Sequence, residues 1–192
     1  DHDIEFLTKS SFKSHSSLVN IIAQNDIIFH FAGINRDVDE ETVFNKNNII
    51  NDSLFNALEE VKFKGRLLFT SSIQEESDSL YGKAKKKARL KFKLQSDSLG
   101  YIFHGIKAPN IFGPFCKPNY NSFIATFCSM IINKETPLIH NDLKVPLVYI
   151  DDFINKILKI LDPDINGNLH IKPINNFYVS EILEKLNMFN DL

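Results

Sequence analysis

Two cysteines, Cys116 and Cys128, are all that the 192 residues contain, with no Cys-x-x-Cys and no histidine beside them at metal-ligand spacing. Neither a disulfide scaffold nor a metal site follows, and a reducing, cytoplasmic setting with both thiols as small buried hydrophobes is expected. A charge surplus of one sign is also missing: Lys plus Arg total 22 against 24 for Asp plus Glu, a net charge of -2. No global field draws such a chain onto nucleic acid or an anionic membrane, so an anionic ligand has to be held by local groups. No apolar run is long enough to span a bilayer. The opening "DHDIEFLTKSS" has neither a signal-peptide pattern nor an initiator methionine, so the expectation is a stretch cut from a longer protein.

What is present is an alternation of short β-branched or aromatic runs with longer stretches of helical periodicity. Strands are expected at Ile4 to Thr8, Asp26 to Ala32, Arg66 to Ser72, Tyr101 to Lys107, Pro146 to Ile150 and Asn168 to Lys172. Helices are expected near 16 to 25, 39 to 60, 80 to 97, 120 to 134, 151 to 161 and 179 to 189. "IIFHFA" and "RLLFT" are apolar at nearly consecutive positions, as in a parallel sheet covered by helices on both faces. Together these imply a doubly wound α/β fold in one domain, 1–192, with the Asn-rich patches at 45–51 and 166–176 serving as caps and turns.

"SLYGKAKKKARLKF" places Tyr81 and Lys85 four residues apart, on one face of a helix. A phenol with a pKa of about 10 is a poor acid or base at neutrality, and an adjacent ammonium lowers that value. The pair can then move a proton at a sugar hydroxyl or carbonyl. The residues alone leave a second reading open, an exposed tyrosine on a lysine-rich face. The preceding "RLLFTSSIQ" ends in Ser71 and Ser72 at the carboxyl edge of a strand, where open α/β sheets build their sites, although hydroxyls there also serve ordinary turns.

In "PNIFGPFCKPNYNS", Asn110, Asn119, Asn121 and Ser122 offer partners for a polyhydroxylated ring, and Lys117 can meet a pyrophosphate. Asn121 or Ser122 equally suits the N-cap of the helix "FIATFCSMII". His30 reads as a hydrogen-bonded core residue. Asp151 and Asp152 read as caps at a helix N-terminus rather than as paired acid and base.

In combination these segments resemble the extended short-chain dehydrogenase/reductases, the NAD-dependent epimerase/dehydratase family that acts on nucleotide sugars. "FHFAGIN" resembles the family's His-x-Ala-Gly strand end, Asn48 its helix asparagine, and "FTSSIQ" its serine strand. "YGKAK" resembles its Tyr-Gly-Lys-x-Lys helix, "KAPNIFGP" its Arg-x-x-Asn-x-x-Gly-Pro loop, and "VYIDDF" its later Val-Asp-Asp segment. Pro109 to Cys128 is most similar to the capsular-polysaccharide reductase/epimerase branch, which acts on UDP-4-keto-6-deoxy-N-acetylhexosamines on the way to UDP-N-acetyl-L-fucosamine. The likeness is strongest from Ile28 to Asp152 and weak after Pro163.

The resemblance implies a Rossmann-like sheet with substrate-binding elements from about 109–135 and 146–192. It implies Tyr81 as general acid/base, Lys85 as its tuner and ribose ligand, and Ser72 as the group that orients the substrate carbonyl. The cofactor would be held by Lys9, Phe31, Ala32, Gly33, Asn48, Tyr81, Lys85, Pro109 and Asn110. The UDP-sugar would be held by Ser72, Asn110, Lys117, Asn119, Asn121 and Ser122. Lys83, Lys86 and Lys87 would be bystanders, with Lys83, Lys87 and Lys91 stepping along a solvated face. A homodimer built on helices 39–60 and 80–97 is implied too, although their apolar faces also fit core packing.

One family element is absent. The seven glycines nowhere form the Gly-x-x-Gly-x-x-Gly turn that holds a pyrophosphate on backbone N–H groups. The first strand of the chain, Ile4 to Thr8, is then expected to be the family's second, with the first strand and its turn lost to truncation, or else with the flanking strands closed up on each other. "FLTKSS" carries no acidic group for a ribose 2'-hydroxyl, and Lys9 stands where a 2'-phosphate would be met, which favours NADP while leaving NAD possible. Members of this branch can also continue into a cupin-like domain. Two other functions fit the same motifs: a UDP-sugar 4-epimerase or dehydratase of the superfamily, and a non-catalytic binding remnant.

Overall fold

The structure, a computed structural model, describes residues 3–8, 12, 14–162, 164–165 and 171–190. Along the chain run α1 (His15–Ala23), β1 (Ile27–His30), α2 (Glu40–Glu60), β2 (Arg66–Ser72), α3 (Leu80–Leu99), β3 (Ile102–Ala108), β4 (Asn110–Phe112), α4 (Phe123–Ile132), β5 (Lys144–Tyr149), α5 (Ile150–Ile157), β6 (Asn175–Tyr178) and α6 (Val179–Asn190). Short 3-10 turns occupy Ile73–Glu76 and Leu158–Leu161. The chain divides into two compact units, one of residues 1–106 and 162–169, the other of residues 107–161 and 170–192.

In the first unit, β2 is the middle strand of β1-β2-β3, and β1 runs parallel to it with Ile27 opposite Arg66 and His30 opposite Phe69. Each crossover is a helix with a definite start. Asp39 accepts a hydrogen bond from the Thr42 N–H at 2.6 Å, and Ser79 accepts one from Gly82 at 3.1 Å, so both satisfy a donor that the helix leaves free. The buried stripe of α2, Val43, Asn47, Asn51, Leu54 and Leu58, repeats at helical spacing and packs on α3. Phe92 of α3 lies within about 6.5 Å, ring to ring, of His30, Phe55, Phe69 and Phe103. It is 1% exposed, so Phe92→Ala removes the centre of this core at a cost of about 3–5 kcal/mol.

In the second unit, β5 is the middle strand of β4-β5-β6, parallel to β4 and antiparallel to β6. Helix α4 starts at Ser122, whose hydroxyl accepts from the Ala125 N–H at 3.3 Å.

Several expectations are corrected. Ile4 to Thr8 is not a strand, and Ile4 and Phe6 stand exposed; a strand persists only with a ladder partner, and among the described residues β1 pairs with β2 alone. The closing-up of flanking strands is therefore not seen among the described residues. β4 and β6 escaped the sequence reading because "NIF" is three residues between Pro109 and Gly113, while "NNFY" carries a turn composition. The expected strand at Asn168 to Lys172 lies mostly outside the described residues, and Ile171 and Lys172 are irregular. Asp151 and Asp152 stand in the first turn of α5, where the helix dipole favours them, but the cap residue is Tyr149 and no side chain caps that end.

The lysines of α3 also differ from a purely solvated face. The Lys91 Nζ stands 3.9 Å from the centroid of Phe55 and 2.5 Å from Asp52 Oδ1, and Lys87 stands 5.8 Å from the ring of Phe44. Their stems lie along α2 while their charges reach water.

Candidate active site

The carboxyl ends of β1 and β2 gather the chemistry. Beyond β1 the chain passes through Phe31, Ala32 and Gly33 to Ile34, whose N–H donates to Asn47 Oδ1 at 3.1 Å. Asn47 returns its Nδ2 to the Ile34 carbonyl at 2.6 Å and to the Val43 carbonyl at 2.8 Å. This one amide ties the loop to α2. Lys85 reaches the same place from α3: its Nζ donates to the Thr70 carbonyl at 3.0 Å and stands 5.1 Å from the Phe69 ring centroid and 6.0 Å from that of Tyr81. A Cβ at Gly33 would fall 3.0 Å from Lys85 Nζ and 3.1 Å from Asn47 Oδ1, so glycine keeps open a cradle walled by an amine and an amide.

Tyr81 is held in register by the turn before it. A Cβ at Gly82 would fall 1.9 Å from the Gln74 carbonyl oxygen, so the first turn of α3 rests directly on the backbone of the 3-10 turn, and only glycine allows that approach. Ser72 ends β2 and accepts from the Gln74 N–H at 3.2 Å, which leaves its hydroxyl proton available to a ligand.

Burial sets the protonation states. Lys85, 4% exposed, is lowered from 10.5 to about 8, chiefly by burial, with the Glu75 carboxylate acting in the opposite sense. Tyr81 is half-buried, and burial raises its phenol above the ordinary value. The sequence reading expected Lys85 to lower it; with the ammonium 6.0 Å from the ring centroid, desolvation dominates. Tyr81 is therefore a protonated donor at neutral pH. His30 is lowered to about 4 by burial and bonds Asn51 Oδ1 at 2.9 Å, a neutral core residue as expected.

The remaining candidates are dispersed. Ala32 is half-buried, and Phe31 is exposed and stacked on Phe29. Asn48 is half-buried and takes no part in the hydrogen bonding that Asn47 makes. Lys9 lies outside the described residues. In the second unit Pro109 is buried, and Asn110, on β4, donates to the Pro146 carbonyl at 3.3 Å. Lys117 stands 5.9 Å from the Tyr120 ring centroid, Asn119 donates its N–H to Thr126 Oγ1 at 2.9 Å, and Asn121 is exposed. Ser122 caps α4, which settles its structural part.

A groove of about 510 Å³ runs between this loop and α4, lined by Phe112, Phe115, Cys116, Ser122, Cys128 and Asn133 among others. Both cysteines are half-buried on its wall rather than fully enclosed. Phe115 and Asn119 hold φ of +66° and +55°, a conformation that costs a non-glycine residue on the order of 1 kcal/mol. Among the described residues no group of three or more His, Cys, Asp or Glu could hold a metal ion, and no helix is long and apolar enough to cross a membrane.

Asn47 was missed for its neighbour. Its signal lay in the phase of α2, since Val43, Asn47 and Asn51 recur every four residues on the stripe that continues to Leu54. Glu75 and Arg89, which form a buried ion pair at 2.7 Å, carried no signal at all.

No family model matches the chain. A curated protein, UDP-2-acetamido-2,6-beta-L-arabino-hexul-4-ose reductase of Pseudomonas aeruginosa, is 35% identical over 195 residues, covering 98% of this chain and 51% of that protein. Over nearly its whole length the chain is thus similar to this reductase. Solved structures of similar fold include the capsular polysaccharide assembling protein CapF from Staphylococcus aureus, with a TM-score of 0.74 and 26% identity over 95% of this chain and 48% of that one. The fold also matches UDP-N-acetylglucosamine 4-epimerase from Methanobrevibacter ruminantium, with a TM-score of 0.80 and 24% identity over 91% of this chain and 64% of that one. The chain spans about half the length of the curated relative it matches.

Proposed function

We propose that the protein is an NADP-dependent reductase/epimerase of a UDP-linked 4-keto-6-deoxy-N-acetylhexosamine, acting in the cytoplasm in bacterial capsule or O-antigen synthesis. The observation that carries the reading is the pairing of a protonated Tyr81 with a buried Lys85 one helical turn away, beside the Gly33 cradle. A reductase must end its reaction with a proton donor at the oxygen of the former carbonyl, and a phenol kept protonated by burial is that donor. Ser72, with its hydroxyl proton free, orients the carbonyl oxygen toward Tyr81. Lys85 places a positive charge behind the phenol, which stabilises the phenolate left after proton transfer.

The cradle of Gly33, Asn47 and Lys85, with the exposed ring of Phe31 nearby in the chain, fits the ribose and nicotinamide end of a dinucleotide: it offers an amine, an amide and an apolar face. When bound, that cofactor supplies the hydride. The preference for the phosphorylated form rests on the sequence alone, where "FLTKSS" carries Lys9 and no acidic residue to take a ribose 2'-hydroxyl. In the second unit, Asn110 on β4 and Lys117, Asn119 and Asn121 on the loop after it present exposed amides and a cation, groups that suit a nucleotide sugar. Exposed Ile49, Leu90 and Leu94 on α2 and α3 are the apolar surface that a second copy would cover in a homodimer.

Product analysis tests the reading. With a UDP-4-keto-6-deoxy-N-acetylhexosamine and NADPH, one cofactor should be oxidised for each sugar reduced. Conversion of the sugar without net NADPH consumption would assign the protein instead to the epimerases or dehydratases.

A further inference from the structure

Between Ser72 and Tyr81 the chain makes a 3-10 turn, Ile73–Glu76, and buries one of the two carboxylates on it, Glu75, while Glu76 stays exposed. Glu75 is 4% exposed. Its Oε1 accepts from Ser71 Oγ and from Arg89 Nε at 2.8 Å, and its Oε2 accepts from Arg89 Nη2 at 2.7 Å and Nε at 3.1 Å. Arg89 lies on α3, one turn beyond Lys85, and its methylenes lie 2.9 Å from where a Cβ at Gly105 would stand. The carboxylate thus ties three pieces together: the end of β2 through Ser71, the turn itself, and α3 through Arg89. Both oxygens are saturated by a bidentate guanidinium and a hydroxyl, the arrangement that makes a buried carboxylate tolerable.

We propose that Glu75 is a positioning residue of the site described above: held by Ser71 at the end of β2 and by Arg89 on α3, it fixes the turn joining Ser72 to Tyr81 and with it the place of Lys85, one helical turn before Arg89 and bonded to the Thr70 carbonyl next to Ser71. Its negative charge also favours the Lys85 ammonium. The catalytic part of this inference rests on the proposed reductase reading; the part concerning Lys85 does not. The titratable groups facing Lys85 are Glu75 from the turn, Tyr81 and Arg89 from α3, and His30 from β1, which is neutral. Asn47 from α2 and the Thr70 carbonyl from β2 add dipoles without charge. Glu75 is then the negative charge in this set, and an isosteric amide in its place removes the counter-charge while keeping the volume.

The test compares Glu75→Gln and Glu75→Asp with the unsubstituted protein. Lys85 is followed by NMR of 15N-lysine-labelled protein, with its resonance assigned through Lys85→Arg. In Glu75→Gln the Lys85 titration midpoint should fall by about one pH unit below the wild-type value, while Glu75→Asp, which keeps the charge, should hold it near the wild-type value. In turnover, Glu75→Gln should lower kcat by about tenfold with KM changed less than about twofold, and the alkaline limb of its pH profile should move to lower pH with the Lys85 midpoint. A merely structural role would leave both midpoint and limb in place, and an unmoved midpoint in folded Glu75→Gln overturns the proposal. Should Glu75→Gln fail to fold, Ser71→Ala cuts the tie to β2 while keeping both charges of the pair: kcat should fall about threefold with KM held, and an unchanged kcat overturns the proposal. Absence of turnover in the wild-type protein would refute the reductase reading alone, because the NMR titration still reads the charge link.

Discussion

Replacing Lys85 with methionine should make the protein more stable and inactive at once. Burial lowers the Lys85 ammonium from 10.5 to about 8 even with Glu75 opposing the shift. Between those values the unfolded chain binds the proton more tightly than the folded one, so stability rises with pH across that window. Below about pH 8 the folded state carries the whole penalty, on the order of 3 kcal/mol at about 1.4 kcal/mol per pH unit. Methionine keeps most of the stem, which is packed over Phe69, but loses the hydrogen bond to the Thr70 carbonyl, worth about 1–2 kcal/mol. The net expectation at pH 7 is a gain of about 1–2 kcal/mol, the pattern of a residue kept for function at a cost in stability. Urea unfolding at intervals from pH 7 to 10.5 reads it. The stability of the wild type relative to Lys85→Met should climb by about 3 kcal/mol across pH 8 to 10.5, other titrations cancelling in the difference. A difference that stays constant across that range refutes the reasoning.

His30 is held neutral down to about pH 4 against about 6.5 in the unfolded chain, so the stability it contributes is present above pH 6.5. On the order of 3 kcal/mol is lost as pH falls to 4; His30→Gln should flatten that acid limb in urea titrations. Gly82→Ala gains about 1 kcal/mol of helix propensity but meets the Gln74 carbonyl at 1.9 Å. Overpacking of about 1–3 kcal/mol should win, and a melting temperature equal to or above the wild type would show the approach to be looser than described. Asn47→Ala should cost about 2–3 kcal/mol by stranding the Ile34 backbone groups, while Asn48→Ala should stay within about 0.5 kcal/mol; equal effects in chemical denaturation would contradict the assignment of the loop tie to Asn47.

The sequence made the helices legible because their apolar stripes are local: α2 and α3 run over Glu40–Glu60 and Leu80–Leu99, close to the expected 39–60 and 80–97, and β2 spans Arg66–Ser72 as read. Tyr81 and Lys85 were legible for the same reason, since four-residue spacing on a helix is a local fact. What escaped depends on partners distant in the chain. Ile4 to Thr8 has the composition of a strand but joins no ladder among the described residues, and strand pairing is not a local property of the sequence. Glu75 and Arg89 are fourteen residues apart and look like two surface charges until the turn brings them together. The pKa of Tyr81 was misjudged in direction because helical spacing reports proximity to Lys85 and not the desolvation that outweighs it.

Tyr81→Phe tests whether Tyr81 delivers the proton that completes reduction of a nucleotide-linked 4-keto sugar. NADPH oxidation driven by the keto sugar should fall by about 10²-fold or more, the usual weight of a general acid, while NADPH binding, measured by fluorescence titration, stays within about twofold of the wild type. Turnover undiminished in Tyr81→Phe would contradict it.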